Sequence, residues 1–234
     1  MMTVNELSES LDKTSLSSGS ETIRFTTSAS TMTLLKASAK KNDTSITGLL
    51  VASMMAALAA EYNGGEPRDV GVSVLVDLRP YLGDDQVEIP QAIGTVTVVL
   101  SCEDVRLNNV PNDETIEQLL KSSAIVLRQI RHRIQRGEAH RCALALTSGN
   151  FEGASPAATL EFSNLGVCAL PPNSTMYTAQ RFEGYDGVSC MVHSEANTGD
   201  MRWAVSIGNG VSTALVKRVF ERVAELGNRI AHME

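Results

Sequence analysis

Aromatic side chains are scarce in this chain: one Trp, four Tyr and five Phe make up 4% of 234 residues. A chain so poor in rings lacks the stacking platforms on which single-stranded nucleic acid is held. Basic charge is not in excess either. Twenty Lys and Arg against 27 Asp and Glu leave a net charge of −7, and a phosphate backbone repels such a surface. The four cysteines, Cys102, Cys142, Cys168 and Cys190, include no C-x-x-C pair, the close spacing that metal sites use. They are read as buried thiols in a reducing compartment, with no metal expected. No apolar run reaches the ~18 residues a membrane helix needs, and no apolar leader opens the chain. The sequons at Asn42 and Asn173 are therefore expected to be coincidental. These absences predict a cytoplasmic protein with neither a nucleic-acid nor a membrane partner.

What is present is patterned for a mixed α/β domain. Residues 1–20 are rich in Ser, Thr, Asp and Glu and read as a flexible lead-in, with a single domain over 21–234. Period-two alternation predicts strands at 22–26, 70–78, 93–100, 159–166, 175–183, 187–196 and 201–207. Asn197-Thr198-Gly199-Asp200 is a hairpin signal between the last two. Ser28 or Ser30 can cap a short helix. Thr44-Ser45 can cap a longer one over 46–62, with Ile46, Leu49, Leu50, Met54, Ala57 and Leu58 as its buried stripe and Asn63-Gly64-Gly65 as its stop. A long helix over 111–136 and a final one carrying Leu215 to Leu226 complete the set, and 148–157 reads as a loop. The pattern predicts a mixed β-sheet covered by three or four helices.

Three short strings resemble a known family. Asp77-Leu78-Arg79-Pro80 is similar to the strand-ending LRP element of the CoA-dependent acyltransferase superfamily, which includes chloramphenicol acetyltransferase, peptide-synthetase condensation domains and alcohol acetyltransferases. Ile93-Gly94-Thr95-Val96-Thr97 resembles its following strand, and Ser163-Asn164-Leu165-Gly166 its SNLG strand. Three matches in order carry more weight than any one. The resemblance implies a chloramphenicol-acetyltransferase-like half-domain, the C-terminal half of the superfamily fold. The family's general base lies in a His-His-x-x-x-Asp-Gly segment of the other half, and no two histidines are adjacent here. In the family the Asp of that segment pairs with an arginine, which Arg79 most resembles. Without that partner, Arg79 is expected to take Asp77, Asp84 or Asp85, or to face solvent.

Candidate site residues follow. His193, within a predicted strand, is either a replacement base or hydrogen-bond donor, or a strand histidine satisfied by a neighbour or by water, with the second reading favoured. Ser163 and Asn164 either orient a substrate carbonyl or tie down a strand end. Ile93, Thr95, Thr97 and Met191 are candidate substrate contacts, and Asp77 and Arg79 candidate structural ones. Arg128, Arg131, His132, Arg133, Arg136, His140 and Arg141 form a basic cluster at one helix end; the solvated-face reading outweighs a landing site for CoA phosphates. A half-fold with no base suggests cofactor-free chemistry on a small apolar substrate, such as a Diels–Alder cyclisation, which needs confinement and one hydrogen bond. The alternatives are a CoA-dependent O- or N-acyltransferase half that needs a partner chain, and a non-catalytic binding module. An apolar face left by the missing half predicts a homodimer.

Overall fold

The alternating segments assemble into one six-stranded mixed sheet. The computed structural model describes residues 21–61, 69–81, 93–105, 112–147, 160–171, 174–176, 187–208 and 210–233. In chain order the elements are β1 (Glu21–Thr27), α1 (Ala29–Lys41), α2 (Ile46–Glu61), β2 (Asp69–Asp77), a 3-10 turn (Arg79–Tyr81), β3 (Ile93–Ser101) and the one-turn α3 (Cys102–Val105). There follow α4 (Asp113–Gln135), α5 (Glu138–Thr147), β4 (Leu160–Cys168), β5 (Val188–Glu195), β6 (Met201–Ile207) and α6 (Thr213–Ala231). The strand order is β1-β6-β5-β4-β2-β3. β4 runs parallel to β2 and β5, and the other pairings are antiparallel. The expected lead-in 1–20, the stop at 63–65 and the loop 148–157 lie outside the described residues. So does the strand over 175–183, apart from Thr175 and Met176, which are not in a strand.

Register sorts the strand residues onto two faces, because successive side chains point opposite ways. One face carries Val70, Val72, Val74, Val76, Val96, Val98, Phe162, Cys190, Val192, Trp203 and Val205, and every strand residue of the continuous apolar core lies on it. Phe25 stacks on Trp203 with ring centroids 4.8 Å apart, and Phe220 of α6 closes the cluster at 6.0 Å from Phe25. The helices cover this face. Each of three starts on a capping side chain: Ser28 accepts from Thr31, Asn112 from Thr115 and Ser212 from Leu215.

Two features depart from the sequence expectation. α2 is not buried along one stripe but through every residue from Gly48 to Ala59. It packs on α4, α6 and β2 together, and an all-apolar helix is the kind that such a position requires. The segment 138–147, which the pattern leaves unassigned, forms α5 after a turn at Gly137, whose φ of +73° is left-handed. α5 docks on β3, where the bare Cα of Gly94 lies against the Ala139 carbonyl. The free edge of β3 is closed by Gln129 of α4, which donates to the Val99 carbonyl at 3.0 Å and accepts the Val99 N–H at 3.2 Å. At Val99 the edge therefore has no free backbone group to offer another strand.

Candidate functional site

The second face of the sheet is polar, and it gathers most of the sequence candidates. Ile93, Thr95 and Thr97 of β3, Ser163 of β4, and Met191 and His193 of β5 all project from it by register. Ser163 lies opposite Met191, two residues before His193 on the same face. Thr97 is buried and shares a 3.1 Å hydrogen bond with Ser73. Ile93, at the strand start, is 47% exposed.

His193 is 1% exposed and sits opposite Arg202 of β6. Burial pushes its imidazole below the ordinary value of 6.5; the nearby Glu195 opposes that shift and Arg202 adds to it. The ring is therefore neutral at pH 7, and its Nε2 meets no partner among the described residues. Glu195, two residues on, has a wholly inaccessible side chain and accepts from Arg202 at 2.9 Å and from Thr198 at 2.9 Å, both through Oε2. The Arg202 hydrogen bond holds the Glu195 carboxyl below 4.5, against the desolvation that would raise it. Arg202 also reaches Thr26 of β1 at 2.8 Å and Asp200 at 3.5 Å, so one guanidinium ties β1, β6 and β5 together. A neutral imidazole can give or take one hydrogen bond at Nε2, but here that nitrogen is buried with the ring and offers no accessible base.

Asn164 goes elsewhere. It stands on the helix-covered face opposite Val192, donating to Thr47 Oγ1 at 3.1 Å and accepting the Gly166 N–H at 2.9 Å. Its amide is engaged at both ends, so the structure places it as a strand tie and not beside His193. The tie builds a bulge: β4 advances from Asn164 to Val167 while β5 advances only from Val192 to Ser194. Gly166 takes the left-handed conformation the bulge needs, with φ of +74°. The extra residue falls in the row of His193 and leaves Leu165 and Val167 41% and 68% exposed.

Asp77 and Arg79 pair with each other at 2.7 Å in solvent, and that hydrogen bond lowers the Asp77 carboxyl below its usual range. The basic cluster spans the end of one helix and the start of the next, where Arg141 donates to the Arg136 carbonyl at 2.9 Å. Arg128 to Arg133 belong to α4, Arg136 to its C-cap, and His140 and Arg141 to α5 beyond the Gly137 turn. Arg133 is drawn onto Glu138 at 2.7 Å. Cys190 and Cys102 are buried as expected, whereas Cys142 and Cys168 are only half-buried; burial pushes the Cys190 thiol well up. Glu195, Arg202 and Glu161 are functional-face residues that pattern reading misses. The hairpin turn at 197–200 could have located Arg202, since it fixes 193 opposite 202.

Among the described residues no single helix is long and apolar enough to cross a membrane. No curated protein sequence matches this chain. Solved structures do. The trichothecene 15-O-acetyltransferase from Fusarium sporotrichioides aligns over 91% of this chain and 47% of its own, with TM-score 0.67 and 13% identity. Polyketide synthase associated protein 5 from Mycobacterium tuberculosis aligns over 90% and 52%, with TM-score 0.61 and 11% identity. The epimerization domain from the third module of tyrocidine synthetase B aligns over 94% and 50%, with TM-score 0.57 and 15% identity. At these identities the likeness is one of fold, and the chain spans about half the length of the structures it matches. The sequence model of one family covers residues 15–224. With the mixed sheet, the SNLG bulge and the LRP turn in place, the chain belongs to the phthiocerol/phthiodiolone dimycocerosyl transferase C-terminus family, within the acyltransferase and condensation-domain fold.

Proposed function

We propose that this chain works as the C-terminal lobe of a two-lobe acyltransferase, with a companion lobe supplying the histidine base. The observation that carries the reading is the match of residues 15–224 to a family defined as a transferase C-terminus. Geometry supports it. The carboxyl ends of the parallel strands β2, β4 and β5 lie at one edge, where Tyr81, Leu165 and Val167 stand exposed. Ligands of open α/β sheets bind outside that edge.

The cyclisation reading asks for an enclosed apolar chamber of at least ~300 Å³. Two hollows bordered by described residues are of other kinds. One, between Leu58, Leu160 and Phe220, holds about 10 Å³. The other, about 550 Å³, is an open groove along Glu221, Ala224, Glu225 and Asn228 of α6. The solved relatives are named for acetyl transfer and for epimerization alike, so fold by itself selects no reaction.

The test is acyl transfer from acetyl-CoA to a long-chain alcohol, assayed with the chain alone and with a co-expressed histidine-bearing lobe. Turnover that requires both polypeptides is expected, with a sedimentation mass equal to one copy of each. Turnover by the chain alone, or by a homodimer of it, overturns the two-lobe reading.

A further inference from the structure

Positive charge is segregated in this chain. Between Gln118 and Thr147 stand six Lys and Arg against one Glu, whereas the whole chain carries 20 against 27 acidic residues. Lys121, Arg128, Arg131, Arg136 and Arg141 are all exposed. Arg133 is taken by Glu138, the one acid of the segment, at 2.7 Å, and Arg136 approaches the same carboxylate only to 3.9 Å. Lys121, Arg128 and Arg131 meet no carboxylate among the described residues. The helix macrodipole does not account for this accumulation. It favours cations in the last turn of α4, and Lys121, Arg128 and Arg131 lie before that turn. His140 and Arg141 sit in the first turn of α5, where the dipole disfavours positive charge. Arg141 is held there by the Arg136 carbonyl, which joins the two helix ends into one basic corner.

Helical spacing lines these side chains up. Lys121, Ile125, Arg128, His132 and Arg136 recur at intervals of three and four residues, the period of a single helix face. At 1.5 Å per residue the ridge runs roughly 22 Å. Ile125 is 37% exposed in the middle of it. On α5, Leu144 is 68% exposed three residues after Arg141, on the same side of its helix. Apolar side chains set among cations on an exposed helix face are the pattern of a helix lying on a lipid interface. A soluble acidic partner would reward the cations but not the bare Ile125 and Leu144. The corner also borders the carboxyl edge of the sheet, because α5 docks at Gly94, which pairs with Val76 one residue before the end of β2.

We propose that the α4–α5 corner is a docking surface for an anionic phospholipid bilayer. Arg128, Arg131, Arg136 and Arg141 meet the headgroup phosphates, which guanidinium groups bind through paired donors, and Ile125 and Leu144 enter the interface. The inference does not depend on the acyltransferase reading. Net charge and the lack of a spanning helix, which predict no membrane partner, do not register a patch of this kind. Docked in this way, the chain holds the carboxyl edge of its sheet beside the lipid.

Flotation of the purified chain with lipid vesicles tests this without turnover. Phosphatidylcholine vesicles containing about a third phosphatidylglycerol are expected to carry the chain at physiological salt and to release it at high salt. Vesicles of phosphatidylcholine alone are expected to leave it unbound. Arg128→Gln and Arg131→Gln should each weaken capture about fivefold. Ile125→Gln and Leu144→Gln keep the charge and should weaken it several-fold. Lys40→Gln with Lys41→Gln on α1 makes a matching charge change outside the corner and should bind as wild type does. All of these positions are exposed, so each variant is expected to keep the wild-type unfolding midpoint. No capture by the anionic vesicles, equal capture by both kinds, or an equal loss in the α1 control overturns the proposal. Tight binding of soluble polyglutamate, with vesicle capture undiminished in Ile125→Gln and Leu144→Gln, would overturn the lipid assignment and assign the corner to an acidic protein.

Discussion

Arg202 holds Glu195 at 2.9 Å across the β5–β6 hairpin, and the carboxylate it holds has no solvent access at all. The two are unequal in risk, because Arg202 keeps Thr26 and Asp200 when Glu195 is lost. Glu195 without Arg202 is a buried charge whose side chain keeps, among the described residues, the Thr198 hydroxyl. Removing one partner of a buried pair costs about 3–5 kcal/mol. Arg202→Met is therefore expected to lower stability by about that amount in urea titrations at pH 7, and Glu195→Gln by clearly less. Equal losses would mean that the hairpin does not depend on the pair.

The same pair sets an acid limit. Glu195 has a native value below its unfolded value of 4.5, so the unfolded chain binds the proton first as pH falls. Its contribution is fully present above 4.5 and is lost as pH drops from there through the lower native value. Arg202→Met is expected to remove that acid-side loss. Urea midpoints at pH 7, 5 and 3.5 would show it as a flatter profile than wild type.

His193 acts in a higher window. Its native value lies below 6.5, so below pH 6.5 the unfolded state takes up a proton that the native state refuses. Stability falls from pH 6.5 down to the native value and is constant with respect to this group beyond it. His193→Asn is expected to flatten the slope between pH 7.5 and 5.5. An unchanged slope would show that the ring is solvated in the native state.

Much of this architecture was legible in the sequence, and the parts that were not share a physical cause. Alternation found β2, β3 and β6 nearly to the residue, because one face of each is apolar and the other is not. Ser28 marked a helix start through capping chemistry that is local. α5 escaped because a left-handed turn at Gly137 breaks it from α4, and its docking on β3 beside Gly94 is a long-range contact. α2 was found, but its burial on all sides was not, since that depends on α4 and α6 arriving together. The candidate face was half legible. Ser163, Met191 and His193 were picked by residue type, whereas Arg202 drew no notice because its pairing with Glu195 follows from the hairpin register. Asn164 stood between two readings, and its bonds to Thr47, 117 residues away, and to the Gly166 N–H fit the strand tie.

Two glycines separate a conformational need from a spatial one. Gly166 has φ of +74° with nothing within 4 Å of an added Cβ, so Gly166→Ala pays only the left-handed backbone cost, about 1–2 kcal/mol. Gly94 has ordinary backbone, but an added Cβ would run into the Ala139 carbonyl. Gly94→Ala is expected to be the more damaging change because it must displace α5 from β3. Thermal unfolding of the two variants ranks them directly, and the reverse order would mean that α5 yields easily.

Arg79 gives the sharpest separation between folding and assembly. Its guanidinium is 68% exposed and its bond to Asp77 lies in solvent, where ion pairs add little to stability. Arg79→Ala is therefore expected to leave the unfolding midpoint of the isolated chain unchanged. Under the two-lobe reading, Arg79 stands at the edge where a companion lobe would bring the carboxylate of its histidine motif. An exposed pair with Asp77 is easily exchanged for that second partner. Arg79→Ala should then weaken co-purification with the histidine-bearing lobe and reduce turnover, whereas Asp77→Ala, which frees the arginine, should preserve both. Loss of assembly in Asp77→Ala with none in Arg79→Ala would place the lobe contact on the aspartate and remove the arginine from the joint.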